Sequence, residues 1–206
     1  MTAAGIPSPS RRGERADAAR NRRAILQAAE DLLRSHEPGE VSVERVAAAA
    51  GVGKATVFHR FGTRAGLMRA LMLERAEALR EAVTSGPPPL GPGAPPGERL
   101  AAFLDALIGL AARNVGLMSA HEHAVATAKH GGGERQSNPV YVFWHGHVAE
   151  LIAQARPEAG ADLLAHVLLG ALHNEAVARL LREGESARLA ACMRELAAAV
   201  TANAGA

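Results

Sequence analysis

Residues 85–97 read SGPPPLGPGAPPG, with six prolines and four glycines. No helix runs through such a tract, because each proline lacks an amide donor and clashes with the preceding turn, and each glycine adds chain entropy that a helix must remove. The chain is therefore assembled from segments on either side, joined by a partly extended, semi-rigid linker. On both sides apolar residues, mostly alanine and leucine, recur at three- and four-residue spacing, and aromatic residues make up only 3%. That pattern predicts helices and no sheet. A hydrophobic fraction of 48% over 206 residues suffices for one medium core or two small ones.

Helix starts and stops divide the remainder. Residues 1–15, with Gly5, Pro7, Pro9, Gly13 and three arginines, offer little to bury and are expected to form a disordered basic arm. Ile25, Leu26, Ala29, Leu32 and Leu33 mark an amphipathic helix over 17–36 that stops before Pro38 and Gly39. Ser42 caps a short helix ending at residue 50, with Glu44 in its first turn against the positive end of the dipole. Helices follow over 54–61 and 64–83, then over 98–113, 115–130, 140–155, 158–183 and 186–203, separated by glycine and proline breaks. The expectation is an all-α protein of about nine helices: an arm (1–15), a helix-turn-helix domain (16–63), a connecting helix (64–84), the linker (85–97) and a C-terminal helical domain (98–206).

Charge is divided unevenly along this plan. Residues 1–72 carry 12 Lys and Arg against 7 Asp and Glu, whereas residues 73–206 carry 11 against 14. The basic half is where contact with a polyanion is expected. A lone cysteine, Cys192, excludes an internal disulfide and reads as an inert core thiol. No stretch has the length and apolarity of a signal peptide or membrane span, which points to the cytoplasm and no membrane partner.

Within the basic half, residues 41–67 read VSVERVAAAAGVGKATVFHRFGTRAGL. Two short helices joined by a tight turn, the second short and basic, is the arrangement that lays a helix in the DNA major groove. Val43, Val46 and Ala47 face inward on the first. Gly51 permits a left-handed turn, and Val52, Val57 and Phe61 form the buried side of the second. At about 100° per residue, Lys54, Ala55, Phe58 and His59 then share one outward stripe able to meet base edges and phosphates. Phe58 has an alternative reading as a core residue, and Arg60 and Arg64 as solvated surface charges.

Residues 20–70 resemble the DNA-binding domain of the TetR family of bacterial regulators, through RRAILQAAEDLL, VSVERVAAAAGVGKATVFHRF and the following GTRAGL. The resemblance implies that Lys54 and His59 face bases, that Ala55 meets a thymine methyl, and that Thr56, Arg64 and Ser42 hold phosphates. Phe58 stands where the family usually has tyrosine, losing a hydroxyl contact that Arg60, where histidine is common, would partly replace. It further implies a C-terminal half that binds a small-molecule effector and dimerises through the last two helices, along Leu163, Leu164, Val167, Leu168 and Leu172 and along Leu189, Met193, Leu196 and Val200. The expected function is a homodimeric repressor released from a palindromic double-stranded DNA operator. An activator, a ligand-independent regulator and a nonspecific architectural DNA binder are the alternatives.

In that half, Phe103, Met118, His121, Tyr141, Trp144, His145 and His173 are candidate pocket residues, supplying apolar walls and a few orienting hydrogen bonds. No metal is assigned, because the pairs His121/His123 and His145/His147 point about 200° apart and His166 and His173 lie two turns apart. No nucleophile, base and orienter stand at recognisable spacing and no glycine-rich phosphate loop is present, so neither an enzyme nor a cofactor is expected.

Overall fold

The computed structural model describes residues 9–125, 138–172 and 174–202. Among these, every regular element is a helix: α1 (Pro9–Ser35), a 3-10 turn (Pro38–Glu40), α2 (Val43–Ala49), α3 (Lys54–Phe61), α4 (Arg64–Ser85), α5 (Pro96–Val125), α6 (Pro139–Ala155), α7 (Ala161–Ala171), α8 (Glu175–Arg182) and α9 (Ser186–Thr201). The chain divides into two compact units, Met1–Leu73 and Glu74–Ala206.

In the first unit, Ile25, Leu26, Ala28 and Ala29 of α1 are buried with Val41, Val43, Val46, Ala47 and Val57 and with Leu67, Met68 and Leu71 of α4. The small alanines let α1 and α2 approach closely. Ser42 accepts the Arg45 amide at 3.2 Å as the cap of α2. Gly51, at φ 65°, takes the left-handed conformation expected of it and turns the chain toward α3. Helix α1 starts at Pro9, so residues 9–15, expected in a disordered arm, are helical. Proline suits a first helical turn, and the arginines and alanines after it are good helix formers.

In the second unit, Leu79 and Val83 of α4, Leu100, Phe103, Leu104, Leu107 and Ile108 of α5, and buried residues of α6, α7 and α9 form one core. Leu90, from the middle of the proline-glycine tract, packs against it. The tract, expected as a semi-rigid linker, is thus seated on this unit, and the division between the units falls inside α4. Two other boundaries differ. The chain stays helical through residue 114, where a break was expected, because Leu110 and Leu117 continue the buried stripe and Arg75 donates to the Asn114 side chain at 2.7 Å. The expected single helix over 158–183 is instead α7 and α8, separated at Asn174. The Asn174 side chain accepts the Val177 amide at 2.8 Å and donates to the Ala171 carbonyl at 2.9 Å, ending one helix and starting the next.

The apolar sides expected on the last helices also split. Leu168 and Met193 are buried and Leu164, Leu172, Leu189 and Val200 pack onto the same core, while Leu163, Val167 and Leu196 are exposed. Cys192 is exposed, because Met193 and Ala197 set the inner side of α9 and Cys192 stands about 100° away from Met193.

Candidate nucleic-acid interface

Val57, 1% exposed, anchors α3 to the first unit, and the positions one turn around it face outward. Lys54, Ala55, Phe58, His59 and Arg60 are all exposed, and Thr56 is half-buried. Phe58 is 41% exposed, which removes the core reading of that ring. One side of α3 is therefore a continuous polar, cationic and aromatic strip, raised from the domain by Gly51 on one side and by Gly62, at φ 72°, on the other.

Its electrostatics centre on Lys54. The ammonium lies 2.5 Å from Glu44 Oε1 on α2 and 5.5 Å from the centroid of the Phe58 ring, within cation–π range. The Lys54 hydrogen bond, followed by the Glu44 backbone amide and the Ser42 hydroxyl, holds the Glu44 carboxyl down at about 2. Both side chains are more than half exposed, so the pair is weak and exchangeable. Glu44 was legible as a helix-start residue; its pairing with Lys54 depends on how α2 crosses α3.

Arg64 stands at the start of α4. It is half-buried; its Nε donates to the Val41 carbonyl at 2.9 Å and its Nη2 donates to the Pro38 carbonyl. The guanidinium ties the start of α4 to the loop before α2. Ser42 serves as a cap, as above. At the entry of α4, the Thr63 hydroxyl accepts the Gly66 amide at 3.0 Å.

The candidate pocket residues of the second unit are only partly brought together. Phe103 is fully buried and meets His147 edge-on at 5.1 Å between centroids. Trp144 is half-buried against the core. Tyr141 and His145 stack at 6.0 Å on α6. The side chains of Met118 and His121, and all of His173, lie outside the described residues. Two polar atoms, Arg99 Nε and His147 Nε2, are buried without a hydrogen-bond partner among the described residues. Burial, and secondarily the Arg99 charge, pushes His147 down to about 4.

Residues 25–71 match the model of the bacterial regulatory proteins of the tetR family. No curated protein matches the sequence as a relative. Among solved structures, the fatty acid degradation regulator FadR of Bacillus halodurans superposes with a TM-score of 0.58 at 16% identity, over 86% of this chain and 94% of its own. A TetR transcriptional regulator of Streptomyces coelicolor superposes with a TM-score of 0.56 at 24% identity, over 85% and 94%. The likeness in fold thus extends through both units, and the likeness in sequence is concentrated in the helix-turn-helix.

Proposed function

We propose that this chain, whose residues 25–71 match the tetR family model, is a DNA-binding transcriptional regulator of that family, and that it is a homodimeric repressor that leaves a palindromic operator when a small molecule binds. The family is one of regulators, not enzymes. The observation that carries the DNA reading is the exposed strip of Lys54, Ala55, Phe58, His59 and Arg60 around the buried Val57. Lys54 and His59 would meet base edges, Ala55 a thymine methyl, and Thr56, Arg60 and the Ser42-capped start of α2 the phosphates.

Dimerisation through the last helices is supported by apolar side chains that their own unit leaves uncovered: Leu163 at 68%, Val167 at 61% and Leu196 at 42% exposed. A pair of such helices from each chain makes a four-helix bundle, and two α3 helices about one DNA turn apart suit an inverted repeat. The effector reading is supported by Arg99 Nε and His147 Nε2, buried donors or acceptors in the second unit without a protein partner among the described residues; an acceptor group on a ligand would satisfy the arginine. Coupling of about 1–3 kcal/mol between the effector and DNA states would change operator occupancy appreciably.

The test is selection of bound fragments from random DNA at near-physiological salt, then titration of the enriched site with the Lys54→Ala and His59→Ala variants. An enriched inverted repeat is expected, with each variant losing preference at one or two base positions at a cost of about 1–3 kcal/mol. Uniform weakening on all sequences, tracking salt alone, would replace the specific reading with a nonspecific architectural one.

A further inference from the structure

Helices α6 and α7 bring together three side chains that the histidine spacing did not connect. His145 comes from α6, and Asp162 and His166 stand four residues apart on one face of α7. One ligand atom from each lies within 4.8 Å of the other two. His145 Nε2 is 3.5 Å from Asp162 Oδ1 and 3.1 Å from the Asp162 main-chain carbonyl oxygen, a contact that a bound metal ion would displace, and the two imidazole centroids are 3.9 Å apart. The His145 side chain is only 15% exposed and that of Asp162 is 84% exposed, so two half-buried nitrogen donors back onto the helix pair and a carboxylate stands free to turn at the solvent edge.

We propose that His145, Asp162 and His166 bind one divalent first-row transition metal ion per chain, of the zinc class, with its remaining position open to water or another ligand. Nitrogen and carboxylate donors without sulfur suit such an ion. A tetrahedral zinc site with ligand distances of about 2.1 Å spaces its donors about 3.4 Å apart, and the His145–Asp162 separation already matches that edge. The other two donor separations are within 4.8 Å, and small rotations of the His166 and Asp162 side chains would bring them to the same edge. Tyr141 supplies the outer support: its hydroxyl lies 2.8 Å from His166 Nδ1. With Nδ1–H donating to the phenol oxygen, His166 Nε2 keeps its lone pair for the metal, the arrangement that orients metal-bound histidines generally. Metal binding involves the second unit alone and is measurable without DNA, so it goes beyond the repressor reading.

The experiment uses the full chain without an affinity tag, stripped by chelator and titrated with Co²⁺ as a spectroscopic probe, then with Zn²⁺ in competition. The expected result is a ligand-field band saturating at one Co²⁺ per chain and displaced by Zn²⁺. The band is expected to vanish in the His145→Ala/His166→Ala double variant and to persist in Cys192→Ser, which removes the exposed thiol as a rival ligand. Asp162→Asn, at an exposed position that leaves folding intact, is expected to weaken Zn²⁺ at least tenfold. Tyr141→Phe keeps all three ligands and is expected to weaken binding by about 10–100-fold with the band shape preserved. No band in the wild-type chain overturns the proposal, as does wild-type affinity in both Asp162→Asn and Tyr141→Phe.

Discussion

His147 shows how one side chain acquires a chemical character that its identity does not carry. It lies between Phe103 and Phe143, with ring centroids at 5.1 and 6.4 Å, and burial, with Arg99 adding repulsion, lowers it from 6.5 to about 4. A group whose folded value is depressed binds its proton more readily in the unfolded chain, so its contribution to stability is complete above about pH 6.5 and is lost as pH falls toward 4. The His147→Leu variant is therefore expected to flatten the stability profile across that window, by on the order of 2–3 kcal/mol at most, since each tenfold change in proton affinity corresponds to about 1.4 kcal/mol. Melting temperatures at pH 7.5 and 4.5 measure it; an unchanged acid slope would show that the imidazole is protonated in the fold. Residue types at such positions are legible in sequence, but their partners are not. Lys54 reads as an outward cation, and only the crossing of α2 and α3 reveals Glu44 beside it. Spacing relates His166 to His173, and only the packing of α6 on α7 sets it beside His145.

At the scale of elements, the junction between α3 and α4 is tightly closed. A Cβ on Gly66 would collide with the Phe61 carbonyl oxygen, a main-chain atom that cannot swing aside. Gly66→Ala is therefore expected to destabilise the helix-turn-helix unit by about 1–3 kcal/mol and to weaken operator binding in parallel, as measured by thermal denaturation and DNA titration; a variant as stable as the parent would show that α4 can shift away from α3. Helix existence is legible wherever the apolar stripe is regular, as in α2, α3 and α4. Boundaries differ from expectation where a polar residue decides locally. Asn114 has the look of a break, but its side chain is held by Arg75 outside the helix. Asn174 sits inside an apolar pattern that reads as continuous, yet its side chain bonds both flanking helices. The two differences have one source: asparagine breaks a helix only when the neighbouring backbone captures its side chain.

For the molecule as a whole, the proposed dimer rests on apolar surface that a single chain leaves in water. Replacing Leu163 and Val167 together with glutamate is expected to convert the dimer to a monomer with unchanged helicity and to weaken operator binding, read by sedimentation equilibrium and circular dichroism. A variant that sediments as the parent does would place the interface on another face. Both positions are exposed, so their substitution leaves the core untouched. What the sequence by itself determined about this protein is what depends on spacing along the chain: helices throughout, the Gly51 turn, the buried Val57 beneath an outward strip on α3, and the basic charge at that end. These follow from contacts within a few residues, where helical geometry converts order directly into position. Only the tertiary structure decided where the units divide, which leucines of α7 and α9 stay outside, what Arg64 holds, and that His145, Asp162 and His166 converge. Each of those depends on how separate helices cross, and crossing is governed by side-chain packing between segments far apart in the chain.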